Sequence, residues 1–137
     1  TLNLAIAQRL LRRLCPACKV KSRAGAADEK IIKEAIDQMP EETRRDLPKN
    51  FSVYKASESG CAECKGKAYK GRVAIFEVFE VTDGVEKIIL TGISEFALRE
   101  EAKNQGMLAM FQDGILKVIE GMVSLEELLE VAEAGNA

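Results

Sequence analysis

Four cysteines stand out as the residues whose type and spacing suit chemistry. They form two C-x2-C pairs, Cys15-Pro-Ala-Cys18 and Cys61-Ala-Glu-Cys64, separated by 42 residues. A C-x2-C pair turns two sulfurs into one site from a single tight turn. Two such turns facing each other supply the four tetrahedral thiolates that zinc prefers. The chain has no histidine, so a metal site here draws on thiolates alone. Lys19, Lys21, Lys65 and Lys67 follow the cysteines closely. Such cations offset the formal charge of −2 on a zinc tetrathiolate, which lowers the cost of gathering four thiolates.

Three other uses of the cysteines fit less well. Two structural disulfides require an oxidising compartment, and a bridge within a C-x2-C pair is rarely structural. A thioredoxin-like site uses one pair placed after a strand and opening a helix. Here there are two pairs, and neither opens a convincing helix. A rubredoxin-like iron site has the same four ligands and stays open beside structural zinc.

Nucleotide chemistry can be tested by spacing. A P-loop reads G-x-x-x-x-G-K-[S/T], with backbone amides around the phosphates and the hydroxyl on magnesium. Between Gly60 and Gly66 lie five residues rather than four, and Gly66-Lys67 is followed by Ala68. Spacing and hydroxyl both fail, and there is no G-x-G-x-x-G. Carboxylates such as Glu126, Glu127 and Glu130 read as a solvated helical face rather than a converging pair. The chain alone is therefore expected to be non-catalytic.

The elements that must hold the cysteines follow from periodicity and punctuation. Leu4, Ala7, Leu11 and Leu14 make an apolar stripe that predicts a helix over Asn3 to Leu14, ended by Cys15-Pro16. Lys19 to Ala27 reads as a loop. Asp28 to Met39 reads as a helix with Ile31, Ile32, Ala35 and Ile36 on one face. A turn lies between Pro40 and Pro48, and a short strand is expected around Phe51 to Tyr54. Arg72 to Val81, "RVAIFEVFEV", is β-branched and aromatic and predicts a strand. Thr82, Ser94 and Ser124 are helix caps, with Gly106 and Gly121 as stops. They delimit helices ending near Leu90, Gln105, Glu120 and Ala134. The expected fold class is mainly α with a minor β component: a tetracysteine zinc-knuckle subdomain followed by a small bundle of short helices.

Charge divides the chain in the same way. The net charge is −2, yet residues 1–23 carry six basic side chains and no acid, while residues 76–137 carry four basic and thirteen acidic ones. Lys65, Lys67, Lys70 and Arg72 around the second pair raise a rival reading, a zinc-ribbon nucleic-acid binder. Such readers interleave aromatics with the cations. Tyr69 is the one aromatic available here, and the acidic half repels a polyanion, so no nucleic-acid partner is expected. No apolar run approaches the roughly 18 residues of a membrane span, so no direct insertion is expected. The first residues have the wrong charge order for a signal peptide. The chain starts at Thr1 rather than Met, which predicts a piece of something longer.

"AIAQRLLRRLCPAC", then about 40 residues, then "GCAECKGKAYKGRVAIFEV" resembles the end of the secretion ATPases of type II secretion and type IV pilus assembly. That family reads Q-R-L-x-R-x-L-C-x-x-C and then G-C-x-x-C-x-G-T-G-Y-x-G-R-x-x-I-x-E-V. It is matched at Gln8, Arg9, Leu10, Arg12, Leu14, Cys15 and Cys18, and again at Gly60, Cys61, Cys64, Gly66, Tyr69, Gly71, Arg72, Ile75, Glu77 and Val78. The tail "LREEAKNQGMLAMFQDGILKVIEGMVSLEELLEV" is similar as well. Two positions depart from the pattern: Lys67 and Ala68 stand where the family has Thr and Gly.

The resemblance implies that residues 1–14 are the last helix of a RecA-like motor core. Residues 15–71 would be the tetracysteine zinc-binding subdomain, with Cys15, Cys18, Cys61 and Cys64 as ligands, and residues 72–137 the C-terminal helical subdomain. It implies a structural and coupling role in a motor that powers pilin polymerisation or type II secretion. Zn2+ would be structural, with ATP and Mg2+ bound only by the parent ATPase. The implied partners are other subunits of a hexamer and an inner-membrane platform protein, and the implied location is cytoplasmic, peripheral to that membrane.

Overall fold

A computed structural model describes residues 3–132. Two long strands, far apart in the chain, form its frame. β1 (Leu4–Leu14) pairs antiparallel with β4 (Tyr69–Glu80), with Leu11 opposite Val73 and Ile6 opposite Val78. The register slips between Arg12 and Leu14, next to the first cysteine. Successive side chains alternate between faces, so one face of the ribbon carries Leu11 and Ile75, both fully buried. The other carries Leu4, Ile6, Leu10, Phe76 and Val78, all exposed.

The helix expected over residues 3–14 is therefore a strand. Ala, Leu, Gln and Arg favour helix locally, but the partner that decides their state lies beyond residue 68 in the chain. Of the predicted stripe, Leu11 and Leu14 are buried, whereas Leu4 and Ala7 are exposed. The stretch read as a loop after Lys19 contains a second short strand, β2 (Val20–Ser22), paired with β3 (Val53–Lys55). Across the described residues the structure is about 41% helix and 22% strand. The fold is mixed α/β, with six helices and two small antiparallel sheets, rather than mainly α.

The helices follow their punctuation more closely. α1 (Ala26–Asp37) buries Ile32 and Ala35, and α2 (Glu41–Arg45) is the single turn between the two prolines. Thr82 caps α3 (Asp83–Thr91), and Ser94 caps α4 (Glu95–Asn104), each side chain accepting from the N–H three residues on. α5 (Met110–Ile119) ends before Gly121. Ser124 Oγ accepts from the Glu127 N–H at the start of α6 (Leu125–Val131). The end expected for this helix, near Ala134, lies outside the described residues. One core gathers Leu11, Ile32, Val53, Ile75, Ile115 and Leu128, drawn from β1, α1, β3, β4, α5 and α6. Among the described residues no helix is long and apolar enough to cross a membrane.

Candidate metal centre

The two cysteine pairs meet where β1 ends and β4 begins. Each pair is held by a tight turn of its own. In the first, the N–H groups of Cys18 and Lys19 donate to the Cys15 carbonyl at 3.3 and 3.0 Å. In the second, the Gly66 N–H donates to the Cys61 carbonyl at 3.0 Å and the Lys67 N–H to the Cys64 carbonyl at 3.1 Å. Antiparallel pairing of β1 with β4 brings the turns together. The Cys15 N–H donates to the Ala68 carbonyl at 3.0 Å, joining one knuckle to the other.

All four Sγ atoms lie within 4.8 Å of one another. Cys15 and Cys61 Sγ are 3.7 Å apart, Cys18 and Cys64 3.8 Å, and Cys61 and Cys64 3.7 Å. A tetrahedron with metal–sulfur bonds of about 2.3 Å has edges of about 3.8 Å. These separations are too long for S–S bonds, and all four thiols are free. The four cysteines could hold a metal ion at that spacing.

The donors around the sulfurs are unequal. Cys64 is buried, and its Sγ accepts from the N–H of Cys61 and of Ala68, both at 3.2 Å. Burial opposes ionisation of this thiol, but those two amides and the neighbouring thiols outweigh it and hold it down to about 6. Cys18 is pushed up to about 12, first by desolvation and then by hydrogen bonds with the other three cysteines. Without a cation, Cys64 is thus the readier of these two to ionise and Cys18 the more resistant; a dication held there would favour the thiolate form.

Backbone strain is concentrated in the second knuckle. Lys65 and Ala68 both take positive φ, 54° and 66°. Gly60, at φ +67°, has no space for a side chain: a Cβ there would lie 2.5 Å from the Gly66 carbonyl carbon. Tyr69, the aromatic that the nucleic-acid reading needs for stacking, carries the Arg12 guanidinium 4.1 Å from its ring centroid. Of the neighbouring lysines, Lys19 turns to the α5–α6 connection, where its Nζ donates to the Gly121 carbonyl at 2.8 Å.

One pairing was not anticipated from the sequence. Arg12 donates from its backbone N, Nε and Nη2 to the Glu127 carboxylate, at 3.3, 2.9 and 2.7 Å. Ser124-Leu-Glu-Glu127 reads as a capping box, in which Glu127 would turn back to its own helix. Its carboxylate instead reaches β1. Arg12 as a matched motif position was the available signal, but its partner lies 115 residues away.

The sequence family described as "Type II/IV secretion system protein" matches residues 1–130. The chain belongs to that family. It is 38% identical to the type IV pilus assembly ATPase PilB of Myxococcus xanthus over 129 residues, which is 94% of this chain and 21% of that protein. It is 34% identical to PilB of Pseudomonas aeruginosa over 133 residues, 97% of this chain and 21% of that one. It is 30% identical to the type II secretion system ATPase E of Vibrio cholerae over 128 residues, 93% of this chain and 23% of that one. The chain thus spans about a fifth of the length of these members of the secretion-system family.

Proposed function

We propose that this chain is the non-catalytic, zinc-stabilised C-terminal module of a pilus-assembly or type II secretion ATPase. The observation that carries the reading is the gathering of the Cys15, Cys18, Cys61 and Cys64 sulfurs within 4.8 Å of one another, with three of the separations at 3.7 to 3.8 Å. Family membership supplies the context, because the relatives are named as ATPases of pilus assembly and type II secretion. Zinc ties together segments 42 residues apart, and a structural zinc site contributes on the order of 10 kcal/mol to folding.

Residues 1–14 are then the last element of the motor core, with the strand β1 (Leu4–Leu14) where a helix was predicted. Residues 15–71 are the zinc subdomain and residues 72–137 the terminal helical part. The bare apolar face of β1 and β4 is where we place the contact with the remainder of the longer protein. The role is structural and coupling: zinc fixes the angle at which the final helices leave the motor. Subunits of a hexamer and a membrane-embedded platform protein are the partners this role calls for, on the cytoplasmic side of the inner membrane.

Elemental analysis of the purified chain tests the reading. One zinc per chain is expected, with cooperative loss of structure around residues 15–71 on chelation. A folded, metal-free chain overturns it, and one iron per chain replaces zinc by a rubredoxin-like centre.

A further inference from the structure

Two consecutive carbonyls between α5 and α6 are held by the two ends of the first knuckle. The Leu14 N–H donates to the Met122 carbonyl at 2.9 Å, and Lys19 Nζ donates to the Gly121 carbonyl at 2.8 Å. Leu14 directly precedes Cys15, and Lys19 directly follows Cys18. The knuckle therefore sits between the two donors, and its own turn closes inside them through the Lys19 N–H to the Cys15 carbonyl.

The other side of this contact is equally close. The Lys19 ammonium lies 4.4 Å from the centroid of the Tyr54 ring on β3. Gly121 has φ +79°, and a Cβ there would come within 2.8 Å of that ring and 3.1 Å of Lys19 Nζ. The lysine, the ring and the turn leave no room for a side chain at residue 121.

We propose that Lys19 is a positioning residue for the metal centre, and that metal occupancy and the α5–α6 turn are energetically coupled through it. The proposal rests on reading the four cysteines as a metal centre. A bound ion fixes Cys15 and Cys18 relative to each other, and so fixes the separation and direction of the two donors that flank them. An ammonium aimed in this way makes a charge-assisted hydrogen bond to a carbonyl near the end of α5. When the ion leaves, the knuckle loosens and both carbonyls lose their donors together. Coupling of this kind is reciprocal, so a change at the turn must alter metal retention as surely as metal loss alters the turn. Lys19 and Gly121 are 102 residues apart in the chain, which excludes a local backbone effect. The simpler alternative is that Lys19 only offsets thiolate charge, in which case Lys21 should serve as well.

The test uses the full zinc-loaded chain and four variants: Lys19→Met, Lys19→Arg, Lys21→Met and Gly121→Ala. Two quantities are read, the rate of zinc loss to a competing chelator and amide hydrogen exchange at Leu14, Gly121 and Met122. Removing a charge-assisted bond makes K19M lose zinc about tenfold faster, with exchange at the turn rising about tenfold while zinc is still bound. K19R restores most of both, and K21M, which removes charge alone, leaves exchange at the turn near wild type. G121A speeds zinc loss although it touches no cysteine. Equal acceleration by K19M and K21M with unchanged exchange at the turn overturns the coupling in favour of charge balance. Should K19M not fold, G121A decides alone, and zinc loss at the wild-type rate in that variant overturns the proposal. A wild-type chain that holds no metal overturns the metal reading and the coupling together. A zinc-bound wild type with an unaltered K19M overturns the coupling only.

Discussion

Arg12 on β1 closes three hydrogen bonds onto the carboxylate of Glu127 on α6, whose side chain is only 6% exposed. The guanidinium also covers the Tyr69 ring at the start of β4. One side chain thus joins the strand that enters the first knuckle, the strand that leaves the second, and the last helix. Arg12→Ala leaves a nearly buried carboxylate without its cation, and is expected to cost about 2 kcal/mol. Glu127→Gln keeps the shape and some of the hydrogen bonding, and is expected to cost about half as much. Urea unfolding of the metal-loaded chain measures both. Equal stability of R12A and wild type would show the pair to be a surface ornament.

The same pair sets an acid limit. The side-chain hydrogen bonds from Arg12 hold the Glu127 carboxyl below its ordinary value of 4.5, against the opposing effect of burial, and its backbone N–H adds to the lowering. The Arg12 guanidinium is raised in turn by its bonds to Glu127. A carboxyl with a lowered folded pKa binds its proton more readily in the unfolded chain. Its contribution is complete above about pH 5 and drains away as pH falls through the folded value. The stability gap between wild type and E127Q is therefore expected to be constant near neutrality and to close below about pH 4.5. Comparing the two proteins at each pH removes the shared loss of metal in acid. A gap that widens on acidification contradicts this account.

The helical half was legible because its signals are local. Thr82, Ser94 and Ser124 each cap the helix they were expected to cap, since a hydroxyl three residues before an amide is enough to start one. The cysteine cluster was legible for a similar reason: each knuckle is a four-residue turn, and only their meeting needs the fold. β1 was not legible. Its residues favour helix, and what makes them a strand is pairing with β4, set by Leu11 against Val73 across the core face. The long-range ties, Arg12 to Glu127 and Lys19 to Gly121, leave no pattern in a single sequence because neither partner's neighbours mark it.

Ala68 occupies a position where the family pattern has glycine, and the structure gives that departure a cost. Its φ of 66° is left-handed, while its methyl is buried and its N–H and carbonyl both serve the knuckles. Left-handed geometry costs an alanine about 1–2 kcal/mol, more than the extra chain entropy and the methyl contact that glycine forfeits. Ala68→Gly is expected to stabilise the metal-loaded chain by about 0.5 kcal/mol. The reverse logic holds at Gly60, where a Cβ meets the backbone of Gly66. Gly60→Ala is expected to lose metal outright. A destabilised A68G would mean that the turn tolerates alanine without strain.

The exposed face of the β1–β4 ribbon can be separated from the core by mutation. Ile6 is 60% exposed, so Ile6→Lys removes little buried area and is expected to change the stability of this chain by under about 0.5 kcal/mol. Leu11 lies on the opposite face and is fully buried, so Leu11→Ala is expected to cost about 3 kcal/mol. If the bare face meets the rest of a longer ATPase, I6K in the full-length protein lowers its unfolding midpoint far more than in this chain. Equal effects in both contexts would place that contact elsewhere.

The four cysteines are not expected to be equivalent under substitution. Cys64 is buried and takes two backbone N–H donors, which orient its sulfur and favour the thiolate before any metal arrives. Cys18 is half-buried, and its sulfur lies 3.8 Å from that of Cys64, with no backbone amide aimed at it among the described residues. Serine at position 64 places a shorter, harder donor where two amides are spaced for sulfur, so both the ligand and the turn suffer. At position 18 the turn keeps its Lys19 N–H to Cys15 carbonyl bond, and water can reach the vacated corner of the tetrahedron. Both variants lose zinc to a chelator faster than wild type, with C64S faster than C18S by at least about tenfold, because C64S disturbs two oriented hydrogen bonds to a charged sulfur and C18S none. Stopped-flow chelator competition on the two variants measures the ratio. A ratio near one would mean that the amides around Cys64 shape the turn without tuning its sulfur.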